Sequence, residues 1–318
     1  MSQEISEGVG DSSLRFDTII IGAGPAGLST SIQLARYNYS VLVFDGGDGR
    51  AAWVPKFHNY LGFPQGVSGK DILRLGREQA QKYGAEIVKS QVVKVEKKSN
   101  DEFVVTTRSA EYQSKRLVFA TGMQDIQPEI ANRYDFAGRS LFYCLDCNSY
   151  EFTGQKSVVL GHNEKTIANA LALLDFTHQI YIATNGLELE GIDKYKSLLE
   201  EYNIDVITEP IERFVGQKGV KGKLEAIEFK NGENRATEMA LSTYGHHVNN
   251  ELAQSLNIAM NESGHIEVGK FMETNIENIY AVGDIVNRTQ MLVLAVSEGI
   301  KAGLAIHRSL QTERKATP

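Results

Sequence analysis

The chain is short of cysteine, tryptophan and proline: among 318 residues there are two Cys, one Trp and six Pro. Two cysteines exclude a multi-disulfide scaffold and leave a structural zinc ion short of ligands, because no third cysteine and no His-x-x-x-His pair completes a tetrahedral set. The seven histidines are scattered, apart from the adjacent His246 and His247. No apolar run approaches the roughly 20 residues of a membrane span. The N-terminal stretch has neither a basic region nor a long apolar one, so it does not read as a signal peptide. We read residues 1–16 as a flexible tail and a reducing cytoplasm as the compartment. A net charge of −7 disfavours non-specific nucleic-acid binding. The rest is an ordinary globular balance, long enough for two domains.

The two cysteines are three residues apart, in Tyr143-Cys144-Leu145-Asp146-Cys147. In a reducing compartment such a pair is more often redox-active or metal-binding than structural. Thiol–disulfide exchange needs a thiolate and a nearby resolving thiol, and a helix start lowers the attacking thiol's pKa.

An isoleucine-rich run over 16–21 predicts a buried parallel strand. It leads into Gly22-Ala23-Gly24-Pro25-Ala26-Gly27, whose glycines suit a tight turn, close approach of backbone to a pyrophosphate, and close helix–strand packing. A helix is expected over 28–37 and a second strand over 41–44. Asp45 follows, about 20 residues beyond Gly24, where a carboxylate binds ribose hydroxyls. Strand, turn, helix and acid together make a dinucleotide site. Leu117-Val118-Phe119-Ala120-Thr121-Gly122 reads as another strand ending in a small-residue turn, and Ile279-Tyr280-Ala281-Val282-Gly283-Asp284 as a third. A helical pattern runs over 291–306, with Leu292, Ala295, Val296, Ile300 and Ala302 in its apolar set. Asp284 is placed to accept hydrogen bonds from a ribityl chain, and the helix start near Met291 to stabilise negative charge on a flavin. These pieces lie far apart in sequence, so one domain is split around an insertion.

Within the insertion the pattern recurs: a strand over 156–160, Gly161 in the place of Gly22, a helix over 166–174 and a strand over 179–183. Its contents differ. His162, Asn163, Glu164, Lys165 and Thr166 follow Gly161, so the second and third glycines are missing. Bulk at His162 and Asn163 and charge at Glu164 oppose a pyrophosphate. Thr184 stands where a ribose-binding acid is expected, and Glu188 and Glu190 have the wrong sign for a phosphate.

These motifs, with Phe57-His58-Asn59-Tyr60-Leu61-Gly62-Phe63-Pro64 and the Ala-Thr-Gly turn, occur in an order that resembles the low-molecular-weight thioredoxin reductases. The resemblance implies an α/β fold of two Rossmann-like, three-layer ββα, FAD/NAD(P)-binding domains, the second inserted in the first. It gives a split FAD-binding domain over 17–125 and 250–318 and a redox-disulfide domain over 126–249, usually in a homodimer. The implied FAD contacts are Gly22, Gly24, Pro25, Ala26, Asp45, Gly46, Arg50, Asn59, Val93, Ala120, Thr121, Gly122, Gly283, Asp284, Met291 and Leu292. Cys147 is the implied flavin-proximal thiol and Cys144 the thiol that exchanges with substrate. The family's general-acid aspartate after the second cysteine is Asn148 here, which leaves Asp146 as a substitute acid or as a like charge disfavouring the thiolate. Ala183-Thr184-Asn185 replaces the family's His-Arg-Arg-type grip on NADPH. NADPH is therefore not the expected donor, and the chain resembles branches that do without it: ferredoxin-dependent flavin thioredoxin reductases, diflavin-linked disulfide oxidoreductases with a second FAD, and dithiol oxidases of the gliotoxin and holomycin type that use oxygen. An NAD(P)H-dependent flavoprotein reductase is the alternative outside these. The expected partner is a thioredoxin-like protein or small dithiol, with ferredoxin as a candidate donor.

Secondary readings concern neighbours of the site. Trp53 and Tyr60 either cover a flavin or pack against a partner subunit. Lys218, Lys221, Lys223 and Lys230 lie on a hairpin region over 214–229 and either steer an acidic partner or are simply solvated. His246 and His247 read as packing residues near a linker, and linkers over 123–128 and 245–250 are candidate hinges.

Overall fold

The computed structural model describes residues 14–47, 49–218 and 222–316. Residues 1–13 of the expected tail and Lys221 lie outside the described residues. The tail ends sooner than expected, because the first strand already includes Arg15 and a buried Phe16.

The chain opens with β1 (Arg15–Ile21), α1 (Pro25–Ala35) and β2 (Val41–Phe44). The expected helix over 28–37 in fact starts at Pro25, whose fixed φ suits a first helical turn and whose missing N–H costs nothing there. Then come α2 (Gly69–Lys82), β3 (Glu86–Val88), β4 (Val92–Ser99), β5 (Glu102–Thr107) and β6 (Glu111–Phe119). A short strand β7 (Met123–Asp125) leads into the insertion, which holds β8 (Leu141–Phe142), α3 (Leu145–Asn148), β9 (Ser157–Leu160), α4 (Glu164–Ala172), β10 (Ile180–Ala183), α5 (Ile192–Glu201) and β11 (Asp205–Ile207). Strands β12 (Ile211–Gln217), β13 (Lys223–Phe229), β14 (Asn234–Ala236) and β15 (Met239–Ser242) complete it. The chain returns through β16 (His246–Val248), which pairs with β7, then α6 (Glu251–Gln254), β17 (Ile279–Ala281) and α7 (Leu292–Ala316). The last helix runs past the expected end at 306, and Ile306 and Leu310 stay buried along it.

Two compact units result. The first comprises Met1–Ala51, Lys70–Met123 and Val248–Pro318, and the second Ala52–Gly69 and Gln124–His247. The expected FAD-binding span 17–125 includes 52–69, whereas these residues group with the second unit.

In the first unit the sheet order is β3-β2-β1-β6-β5-β4, with β17 also on β6. Strands β3, β2, β1, β6 and β17 are parallel, and β4 and β5 add an antiparallel extension. Toward their carboxyl ends the inner strands are apolar, as burial on both faces demands. Ile19, Ile20, Leu42, Val43, Leu117 and Val118 are all inaccessible to solvent. Helices α1 and α7 approach so closely that a Cβ on Gly299 would lie 2.3 Å from the Ala26 carbonyl oxygen. Ser29 Oγ, on α1, donates to the Val296 carbonyl on α7 at 2.8 Å.

The second unit has a parallel sheet ordered β11-β10-β9-β15-β8. Alternation divides its strands between two cores. Val158, Leu160, Tyr181 and Ala183 join one cluster with Phe214 and Phe229, while Val159, Ile180, Ile182 and Leu241 join another with Ile167 and Leu199. The expected hairpin is present as the antiparallel β12 and β13, continued by β14.

Candidate active site

The first unit builds a cradle at the carboxyl ends of β1, β2, β6 and β17. Gly22 leaves β1 at φ +115°, and a Cβ there would lie 2.2 Å from the Ala120 carbonyl oxygen, so only glycine fits the turn. Gly24 is the N-cap of α1; no side chain caps it, and a Cβ there would meet nothing within 4 Å. The amides that follow Pro25 therefore have no side-chain acceptor at the cap, which suits a helix N-terminus to receive a phosphate. Pro25 and Ala26 begin the helix, and Ala26 Cβ lies 2.9 Å from where a Cβ of Gly283 would stand. Thr121 Oγ1 donates to the Asn249 carbonyl at 2.6 Å, and Asn249 Nδ2 returns a bond to the Thr121 carbonyl at 2.8 Å. The Gly122 carbonyl accepts the Asn249 amide.

Two acids border this cradle. Asp284, after Gly283, takes Arg50 Nη1 at 3.3 Å, joining two expected cofactor residues. Asp45, followed by the exposed Gly46, is engaged by Arg77 of α2. Met291 precedes α7 and Leu292 begins it, with the Ala295 amide donating to the Met291 carbonyl. Asn59, in Ala52–Gly69 of the second unit, and Val93, about half exposed as the second residue of β4, are not part of these contacts.

Four neighbours of the cradle escaped the sequence reading. Arg77 is on the stripe of α2 that carries the buried Leu73 and Ala80, so a charge at core spacing was the available signal. Glu298 occupies a like position on α7, between the buried Ala295 and Ala302. Its Oε2 accepts the Gly283 amide at 2.8 Å and so holds the turn that presents Asp284. Burial pushes the Glu298 carboxyl above its ordinary pKa, Asp284 adds to this as a like charge, and the Gly283 hydrogen bond opposes it. His265 Nε2 lies 3.0 Å from Gln290 Nε2, just before Met291. Burial lowers the His265 pKa against the opposing pull of Asp284.

The second unit repeats the turn but closes it. Asn163 is the N-cap of α4, and its Oδ1 accepts the Thr166 amide at 3.2 Å. Thr166 Oγ1 accepts the Asn163 amide at 3.3 Å, completing a capping box. Glu164 follows in the first turn and pairs with Lys194 at 3.1 Å. The buried Thr184 hydroxyl donates to the Leu187 carbonyl, and Asn185 Oδ1 accepts the Ile211 amide at 2.7 Å. An open depression beside this turn is lined by His162, Leu187, Glu188, Glu190 and Asp193.

Cys144 and Cys147 are joined as a disulfide with Cα atoms 5.3 Å apart. Cys144 is the N-cap of α3, and its Sγ accepts the Cys147 amide at 3.2 Å. Both cysteines are partly exposed, Asp146 between them is exposed, and Asn148 ends the turn. Tyr143 donates its hydroxyl to Gln127 Oε1 at 2.5 Å, and burial pushes its pKa well up. Trp53 is 64% exposed with its ring 6.4 Å from that of Tyr134, while Tyr60 stacks on Phe63. Lys218 lies 3.9 Å from Asp135. Among the described residues no three His, Cys, Asp or Glu side chains are grouped to hold a metal ion.

The pyridine nucleotide-disulphide oxidoreductase family matches residues 16–299. The chain belongs to this family. It is 30% identical to thioredoxin reductase of Aquifex aeolicus (strain VF5), over 95% of this chain and 96% of that one. It is 29% identical to a 34.2 kDa protein in the rubredoxin operon of Clostridium pasteurianum, over 91% and 96%. The solved structure of a putative thioredoxin reductase TrxB from Bacillus anthracis superposes with a TM-score of 0.84 at 29% identity, covering 94% of this chain and 99% of that one. The family carries FAD, and the fold is the thioredoxin reductase-like α/β fold with Rossmann-type domains. The protein is a thioredoxin reductase-like, FAD-dependent disulfide oxidoreductase. Its first unit fits FAD: the uncapped α1, the space at Gly24, and acids at the ends of β2 and β17 match a dinucleotide's phosphates and sugar hydroxyls.

Proposed function

We propose that this protein reduces a disulfide through the Cys144/Cys147 pair with electrons that do not come from NADPH. The observation that carries the reading is the Asn163 cap. A nicotinamide dinucleotide needs the free amides of a helix start, and at α4 a side chain has already taken one of them. Glu164 adds a negative charge in the same turn, and the neighbouring depression is acidic. The second unit does not fit NADPH.

The donor we favour is a reduced ferredoxin-type iron–sulfur protein. The name of one relative, a 34.2 kDa protein in a rubredoxin operon, supports it. A second bound flavin is the other reading, favoured by the exposed Trp53 ring beside Tyr134, a surface suited to stacking. Bound FAD supplies the two-electron relay between donor and dithiol. In the first unit, the α1 amides would hold the diphosphate, Asp45 would accept from the adenosine ribose and Asp284 from the ribityl chain. In the second, the reduced Cys144 attacks one sulfur of the substrate disulfide and forms a mixed disulfide. Cys147 then attacks Cys144, closes the intramolecular disulfide and releases the substrate as a dithiol. Asp146, exposed in the same turn, is the candidate acid for the departing thiolate. A thioredoxin-like protein is the proposed substrate, in line with the names of the relatives, and the proposal includes a cytoplasmic homodimer.

Anaerobic titration with NADPH and then NADH, following flavin absorbance with FAD counted per chain, tests this. No bleaching by either nucleotide and prompt bleaching by reduced ferredoxin is the expected result. Stoichiometric bleaching by NADPH overturns it. Two FAD per chain selects the second-flavin reading, and peroxide release from a dithiol in air selects an oxidase.

A further inference from the structure

Arg77 reaches Asp45 twice, with Nε at 3.0 Å and Nη2 at 2.8 Å, both to Oδ2. The Gly47 amide donates to Oδ1 at 3.1 Å. The Asp45 side chain is only 12% exposed, and that of Arg77 30%. The acid is thus set in place from two sides, and the Asp45 amide is itself bonded to the Val88 carbonyl at the end of β3.

This arrangement changes what Asp45 can offer. A carboxylate has about four acceptor positions; on Oδ2 one takes the Arg77 Nε hydrogen bond while Nη2 lies 2.8 Å from the same atom, and on Oδ1 one takes the Gly47 amide. Oδ1 keeps an open position for one hydroxyl of a ribose diol, while the guanidinium stands against Oδ2. Arg77 gives Asp45 its Nε–H, holds Nη2 in ion-pair contact with the same oxygen, and keeps both N–H groups of Nη1 for another acceptor. An acid alone at this site would also repel a diphosphate bound at the start of α1, and the guanidinium offsets that charge. The site therefore presents an acceptor and a donor side by side, matched to a vicinal diol in which one hydroxyl gives a hydrogen bond and the other receives one.

We propose that Arg77 is a cofactor-binding residue for the adenosine half of FAD, acting with Asp45 as a paired donor and acceptor for the ribose hydroxyls. The proposal rests on the reading of the first unit as the FAD site. Arginine is required for its planar fork, since lysine keeps the charge but not the paired geometry.

The test is titration of the flavin-free protein with FAD, ADP and FMN. Charge-assisted hydrogen bonds of this kind predict that Arg77→Met weakens FAD and ADP about tenfold or more. FMN, which lacks adenosine, should bind Arg77→Met as it binds the wild type. Arg77→Lys should fall between, and adding Asp45→Asn to Arg77→Met should cost much less than it does alone. Arg74→Met is the control, because Arg74 is on the same helix but pairs with Glu78 and Asp71 at the surface. Unchanged FAD affinity in Arg77→Met overturns the proposal, as does an equal loss of FAD and FMN, which marks general damage. Additive losses in the double variant overturn it too. A wild-type protein that takes up no FAD overturns the underlying site reading instead, and is told apart by needing no variant.

Discussion

The Asn163 carboxamide oxygen stands 3.2 Å from the Thr166 amide and accepts its hydrogen, closing the first turn of α4 on its own side chain. At the matching place on α1, Gly24 has no side chain to do this. The two helix starts share a fold and differ in whether their amides are available. Removing the cap tests the difference. Asn163→Ala should cost about 1 kcal/mol of stability, the usual worth of an N-cap, read by urea denaturation. The same variant should still show no bleaching with NADPH, because Glu164 and the absent ribose acid at Thr184 remain.

Serine at either cysteine should abolish turnover of a disulfide substrate while leaving bound FAD in place, since Cys144 and Cys147 are in the second unit and the cradle is in the first. Reduction of the flavin by the physiological donor should persist in both variants. Loss of flavin from Cys144→Ser would contradict the separation of tasks.

Two glycines of one turn should respond differently. Gly22→Ala forces a Cβ to 2.2 Å from the Ala120 carbonyl at φ +115°, and a strained backbone of this kind costs about 1–3 kcal/mol or more. Its signature is a lower Tm of the flavin-free protein. Gly24→Val projects into open space, so the flavin-free protein should keep its Tm and lose FAD affinity. Equal effects of the two on Tm would contradict the account of the turn.

Glu298 links pH to stability. Its carboxyl is raised above 4.5 in the fold, mainly by burial, so the protonated form is favoured there. Its contribution is full below the ordinary carboxyl value and is lost as pH rises through the raised one. Glu298→Gln keeps an oxygen for the Gly283 amide without a charge. Urea denaturation at several pH values should show the wild type losing stability over that window while Glu298→Gln does not. Parallel curves would contradict the role of burial.

Some of this site was plain in the residues alone. The Gly22–Gly27 turn, the strands beside it and the Cys144/Cys147 pair depend on neighbours a few positions away, so local spacing carries the information. The absence of glycines after Gly161 likewise marked the second turn as altered, although the capping box there appeared only with coordinates. Helix limits were less legible: α1 begins at Pro25 and α7 runs on to Ala316, because ends are decided by caps and packing rather than by periodicity.

By itself, then, the sequence determined two Rossmann-type turns, one open to a dinucleotide and one filled by side chains, with a dithiol in the insertion. Only the tertiary structure decided that Arg50 meets Asp284 across 234 residues of chain, that Arg77 holds Asp45, that Glu298 reaches back to Gly283, and that Ala52–Gly69 groups with the second unit. The physical reason is that a charge or hydrogen bond is satisfied by whatever group the packed fold brings within about 3 Å. Residue spacing constrains such a partner only when both groups share one local element.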